Sequence, residues 1–154
     1  MYKKILVPMD GSPIAECVIP HIKAIAKAEN AEVELINVVE PLEIPTRGKI
    51  ALDEDDLKQI DSDSRSDAHN YLANIAKQLK RSSVEARPVV LSGKTADTLV
   101  DYANTNDIDL LIMATHGRSG ITRWFWGSIV DKVLRAVDVP VLLVKSKGCK
   151  AEVR

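Results

Sequence analysis

Five short apolar runs recur along the chain: "KILVPM" (4–9), "EVELINVV" (32–39), "VEARPVVL" (84–91), "DLLIMA" (109–114) and "VPVLLVK" (139–145). Each is rich in Val, Ile and Leu and is bounded by turn formers or charges, the mark of a β-strand. The first, fourth and fifth are nearly continuous in apolar residues, as strands covered on both faces are. Between the runs the apolar spacing changes to three and four. Ile14, Val18, Ile22 and Ile25 mark a helix from Pro13 to Glu29, with Ser12 as N-cap and Pro13 as first helical residue. Leu57, Ile60, Ser64, Ala68, Tyr71, Ile75 and Leu79 form the inner stripe of a second helix over about 54–81. Shorter helices fit 95–105 and 128–137.

Strands and helices therefore alternate from end to end, which predicts an α/β fold with a parallel sheet and helices on both faces. Right-handed crossovers with one reversal of winding give a doubly wound, Rossmann-like sheet of five strands in the order 3-2-1-4-5. One domain over 1–146 and a polar C-terminal tail over 147–154 account for the chain. The one long irregular connection, "EPLEIPTRGKIALD" (40–53), is expected to be a mobile loop beside the site.

Composition narrows the function classes. With 154 residues, 45% hydrophobic and 28% charged, the chain reads as a soluble domain with a real core. A formal net charge of −1 supplies no overall basic field for nucleic acid or an acidic membrane. The N-terminal apolar run spans only Ile5 to Val7 before Pro8, too short for a signal peptide, and no run nears the ~20 residues of a membrane span. Cys17 falls on an apolar helical pattern and Cys149 in the tail "KSKGCKAEVR". Read as free thiols, they predict a cytoplasmic protein.

In a doubly wound sheet, ligands bind outside the carboxyl ends of the strands that flank the reversal, here the first and fourth. The first strand ends in "PMDGS" (8–12), the fourth in "MATHGRSGITRWFWGS" (113–128). Two glycine-bearing polar segments thus converge on one crevice. Gly127-Ser128 directly precedes the apolar pattern Ile129, Val130, Val133, Leu134, Val137. The unpaired amides of that helix start suit a phosphate, and Gly127 lets backbone approach it. Ser128 with Asp131 also fits a capping box, a purely structural alternative. The second glycine, at 117, favours the anion site.

These residues resemble the universal stress protein family over nearly the whole chain. Its ATP-binding members carry Gly-x2-Gly-x9-Gly-Ser/Thr after the fourth strand. Here Ala114-Thr115-His116-Gly117, nine residues, then Gly127-Ser128 match that spacing, and "ILVPMDGS" looks like the family's opening. The resemblance implies a nucleotide site of Pro8, Met9, Asp10, Val38, Ala114, His116, Gly117, Arg118, Gly127, Ser128, Ile129 and Val130. Asp10 and Val38 would meet the adenine; Gly117, Gly127, Ser128 and the amides of Ile129 and Val130 would hold ribose and phosphates. The implied ligand is ATP, with ADP or AMP as alternatives and Mg2+ carried on the phosphates. It also implies a stress-response homodimer, paired through the last strand at Val141, Leu142, Leu143 and Val144, with or without slow hydrolysis and with an unidentified protein partner. Two residues depart from the pattern: Ala114 replaces the first glycine, and Val130 stands where relatives often offer a hydroxyl. A nucleotide-free dimeric member and an ATP-using transferase of related architecture are the alternatives.

Other features have simpler readings. "SGKT" (92–95) has Pro88 where a phosphate loop needs its first glycine, so it is a turn into a helix. "DEDDLKQIDSDS" lacks the glycine and terminal glutamate of a calcium loop and suits a helix start. His21 and His69 fall on helices without a partner pattern. Arg118 and Arg123 could neutralise phosphate charge, and His116 could donate to a phosphate. Trp124, Phe125 and Trp126 read as packing that anchors the loop, with a cover over the ligand or a subunit contact as alternatives.

Overall fold

The computed structural model describes residues 1–42, 53–115 and 128–146. The five apolar runs become β1 (Lys4–Pro8), β2 (Glu32–Val39), β3 (Ala86–Ser92), β4 (Leu110–Thr115) and β5 (Val141–Lys145). The helices are α1 (Ile19–Glu29), α2 (Glu54–Arg81), α3 (Thr95–Thr105) and α4 (Ser128–Ala136). All four strand pairings are parallel, in the order β3-β2-β1-β4-β5.

The pleat of β1 shows why both faces carry helices. Ile5 and Val7 are fully buried with Val18, Ile22, Leu72 and Leu79, from the α1 and α2 side. Leu6 points the other way and is fully buried with Leu99, Leu111 and Val133, from the α3 and α4 side. A continuous apolar run is thus divided between two cores.

Among the described residues, one charged side chain enters this interior. Glu34 of β2, only 1% exposed, accepts from Arg87 Nε (3.0 Å), from Arg87 Nη2 and from the Tyr102 hydroxyl (2.8 Å). Burial and the Glu34 hydrogen bond push the Tyr102 hydroxyl up to about 12. Full pairing is what permits a carboxylate here.

Several expectations need correction. The first helix does not run from Pro13: a 3₁₀ turn occupies Ala15–Val18 and α1 follows from Ile19. Pro20 has no N–H to give an i−4 carbonyl, so the chain winds tightly before it and loosens after it. Ser12 still accepts from the Ala15 amide at 3.2 Å. Ile60, placed on the inner stripe of α2, is exposed, because burial on that helix is confined to Leu72, Ile75 and Leu79. Its first half extends beyond the core. Cys17 is buried as expected but is disulfide-bonded, so the free-thiol reading and the cytoplasmic location drawn from it lose that support. Cys149, the tail over 147–154 and most of the irregular connection lie outside the described residues.

β3 is an outer strand and contains Pro88. Gly93 N–H donates to the Val39 carbonyl and Glu85 C=O accepts from Val33, so odd-numbered residues of this segment face β2. Pro88 therefore turns its missing donor to the open edge, where no ladder needs it.

Candidate functional site

The site begins with a proline. Main-chain groups alternate sides along β1: Lys3 C=O accepts from Glu32 N–H, and Met9 N–H donates to Ile36 C=O, both 2.9 Å and both toward β2. Lys4 C=O accepts from Asp109 N–H at 2.9 Å, toward β4. Pro8 shares the parity of Lys4, so the donor it lacks is one that would have faced β4. Pairing with β4 accordingly stops at Leu6↔Leu111, while pairing with β2 continues to Pro8↔Ile36. The two strands part, and a cavity of about 290 Å3 lies between their ends.

The loop leaving β1 is folded by its own side chains. Asp10 Oδ1 accepts from Ser12 N–H at 2.9 Å, and Gly11 sits at φ +83°, which favours glycine. Asp10 is exposed at the rim and Met9 is buried. Behind this loop, Tyr71 donates to Glu16 Oε1 at 2.9 Å, and burial and that bond raise its pKa above the ordinary phenol range.

On the β2 side, even-numbered residues present their main chain to β1, as Glu32 and Ile36 do. Val38 is the next of that parity and lines the cavity. Beyond it, Glu40 Oε1 accepts from the Thr95 N–H (3.0 Å) and the Thr95 hydroxyl (2.8 Å). This caps α3 from another segment, since Lys94, its N-cap residue, offers no side-chain bond. Those bonds, the backbone one foremost, hold the Glu40 carboxyl below the usual range.

On the β4 side, Ala114 lines the cavity, and α4 brings Ile129 and Val130 to its wall. Ser128 is already the first residue of α4, and Asp131 pairs with Arg135 Nε (3.0 and 3.1 Å) rather than closing a box with Ser128. The amides of Ser128, Ile129 and Val130 fall in the turn that has no helical acceptors. α4 is docked on α3 at both ends. Lys132 Nζ meets Asp97 Oδ1 at 2.6 Å, and Asn104 donates to Ala136 C=O (3.2 Å) and accepts from Asp138 N–H (3.0 Å).

Of the predicted residues, Pro8, Met9, Asp10, Val38, Ala114, Ile129 and Val130 line this cavity together. Ser128 opens the helix that carries the last two. His116, Gly117, Arg118 and Gly127 lie outside the described residues, as do Arg123, Trp124, Phe125 and Trp126. Sequence reading missed Asn37, Thr95 and Leu99, which also line it. Asn37 had a readable signal: a lone amide inside "ELINVV".

Comparison with known proteins gives a consistent picture. The model of the universal stress protein family matches residues 1–145. Universal stress protein MJ0531 of Methanocaldococcus jannaschii is 31% identical, with 94% of this chain and 83% of that protein aligned. Universal stress protein MJ0577 of the same organism is 29% identical, over 96% of this chain and 98% of that protein. The solved structure of MJ0577 superposes with a TM-score of 0.78 at 30% identity, covering 94% of this chain and 96% of that one. More distant structures share the fold. A universal stress protein in complex with cAMP has a TM-score of 0.70 at 21% identity, covering 94% and 98%. An Arabidopsis thaliana member with AMP bound has a TM-score of 0.62 at 12% identity, covering 93% and 91%.

Proposed function

The chain belongs to the universal stress protein family, and from that premise we propose that it binds an adenine nucleotide in the crevice between β1 and β4. The carrying observation is the cavity itself. Pro8, Met9, Val38, Ala114, Ile129 and Val130 supply apolar walls for a base, and the start of α4 lies at the same opening. Val38 adds direction. By the parity of Glu32 and Ile36 its N–H and C=O turn toward β1, a donor–acceptor pair that would match adenine N1 and N6 and mismatch the inverted edge of hypoxanthine. The first amides of α4 would receive the phosphates.

The ligand of this reading is ATP, with Mg2+ riding on its phosphates, and ADP or AMP are the alternatives. In this reading the ion would be held through the phosphates of the nucleotide. The AMP- and cAMP-bound relatives support the adenine part. The outer edge of β5, with Val141, Leu142 and Leu143 only partly buried, suits pairing with the same strand of a second copy.

Calorimetric titration of nucleotide-stripped protein with Mg-ATP, AMP and IMP tests this. Saturable binding near one adenine nucleotide per chain, with IMP at least about tenfold weaker, is expected. Phosphate release in the same samples reports slow hydrolysis. No heat and no thermal stabilisation with any adenine nucleotide would remove the reading and favour a nucleotide-free dimeric member.

A further inference from the structure

The hydrogen bonding at the end of β1 points to a specific task for Asn37: its side chain replaces a rung of the sheet and so keeps the main chain of Val38 out of the β1–β2 ladder. The inference deepens the nucleotide reading and rests on it for its consequence, not for its geometry.

In a parallel ladder, a residue that donates to position j−1 accepts from position j+1. Met9 N–H donates to Ile36 C=O at 2.9 Å. The next rung would therefore run from Val38 N–H to Met9 C=O. That carbonyl receives Asn37 Nδ2 instead, at 2.8 Å. A carbonyl only accepts, so chemistry fixes the orientation of the amide: nitrogen toward Met9, oxygen away.

The substitution has two effects. Met9 is 1% exposed, and its carbonyl needs a donor; Asn37 supplies one, so the exit of β1 stays fastened to β2. At the same time Val38 N–H remains available at the cavity wall. Asn37, half-buried in an otherwise apolar stretch, is a poor strand former. Its tether gives that cost a purpose. Asn37 is a positioning residue; the group that meets the base is Val38.

Amide hydrogen exchange at Val38 in ligand-free protein tests this, comparing wild type with Asn37→Val and with the isosteric Asn37→Asp, which has no donor. Val38 exchange slowed at least about tenfold in a folded variant, as the rung closes, is the expected result. AMP affinity falling about tenfold in the same variant, with IMP affinity unchanged, completes it. Unchanged Val38 exchange in both variants overturns the assignment, even if AMP binds wild type. Slowed exchange in a protein that binds no adenine nucleotide supports the Asn37 assignment and overturns the nucleotide reading, so the two fail separately. Should Asn37→Val not fold, Asn37→Asp carries the test.

Discussion

β1 has two neighbours and treats them differently. Toward β2 it is paired along its whole length and fastened beyond its end, through Pro8↔Ile36, the Met9 amide and the Asn37 side chain. Toward β4 it is paired only at Ile5↔Leu110 and Leu6↔Leu111. Both flanks are apolar and parallel, so hydrophobicity does not account for the contrast. A proline with its missing donor on one side and an asparagine on the other do. The crevice here comes from where hydrogen bonds are withheld, within a core that continues underneath.

The largest effect should come from the stretch that both neighbours share. Leu6→Ala removes a fully buried side chain where β1 pairs on both flanks, and should cost about 2–5 kcal/mol in urea denaturation. A cost below about 1 kcal/mol would mean the two flanks do not depend on a common base.

Pro8→Ala returns a donor to the β4 side. One net hydrogen bond is worth about 0.5–1.5 kcal/mol, so a crevice that gains a rung should bind AMP about three- to tenfold more weakly. Equal affinity would show that the missing donor is not what holds the strands apart.

Acid reaches the β4 flank at its start. Asp109 Oδ2 accepts from the amides of Lys3 (2.8 Å) and Lys4 (2.9 Å), and these bonds hold its carboxyl below the ordinary range. A lowered folded-state pKa means stabilisation that is complete above the unfolded value, near 4, and is lost as pH falls through the folded one. Denaturation midpoints of wild type and Asp109→Asn should differ at pH 7 and converge on acidification below about pH 4. A gap that persists at pH 2 would contradict this.

The smallest effect belongs to the β2 flank. Glu40 is exposed, and Glu40→Gln keeps one acceptor for Thr95, so AMP affinity at neutral pH should change by less than about twofold. A loss comparable to that of Pro8→Ala would give this cap a direct part in the cavity wall.

Much of this is legible in the sequence. The strand runs carry their own alternation, and the helices their own spacing, so order and topology follow from pattern. Placing Pro8, Met9, Asp10, Val38 and Ala114 at one crevice needed only the rule that ligands bind where the winding of the sheet reverses, together with the family resemblance. What escaped depended on contacts between distant segments. Glu40 caps a helix that begins 55 residues later in the chain, and Asn37 serves a carbonyl 28 residues before it; no local window contains both partners. The late start of α1 is a different failure. Pro20 carries the signal for it, and the reading from the regular spacing of Val18, Ile22 and Ile25 took no account of that residue.

The outward-facing imide nitrogen of Pro88 bears on how many copies of this chain can assemble. Edge-to-edge growth of sheets needs two receptive margins per molecule, one to join and one to pass the joint on. β3 interrupts its margin with a residue that cannot donate, whereas β5 offers an unbroken one. Pairing through β5 uses that margin on both partners at once. The β5 pairing proposed above would therefore end at two and would not run on into a filament.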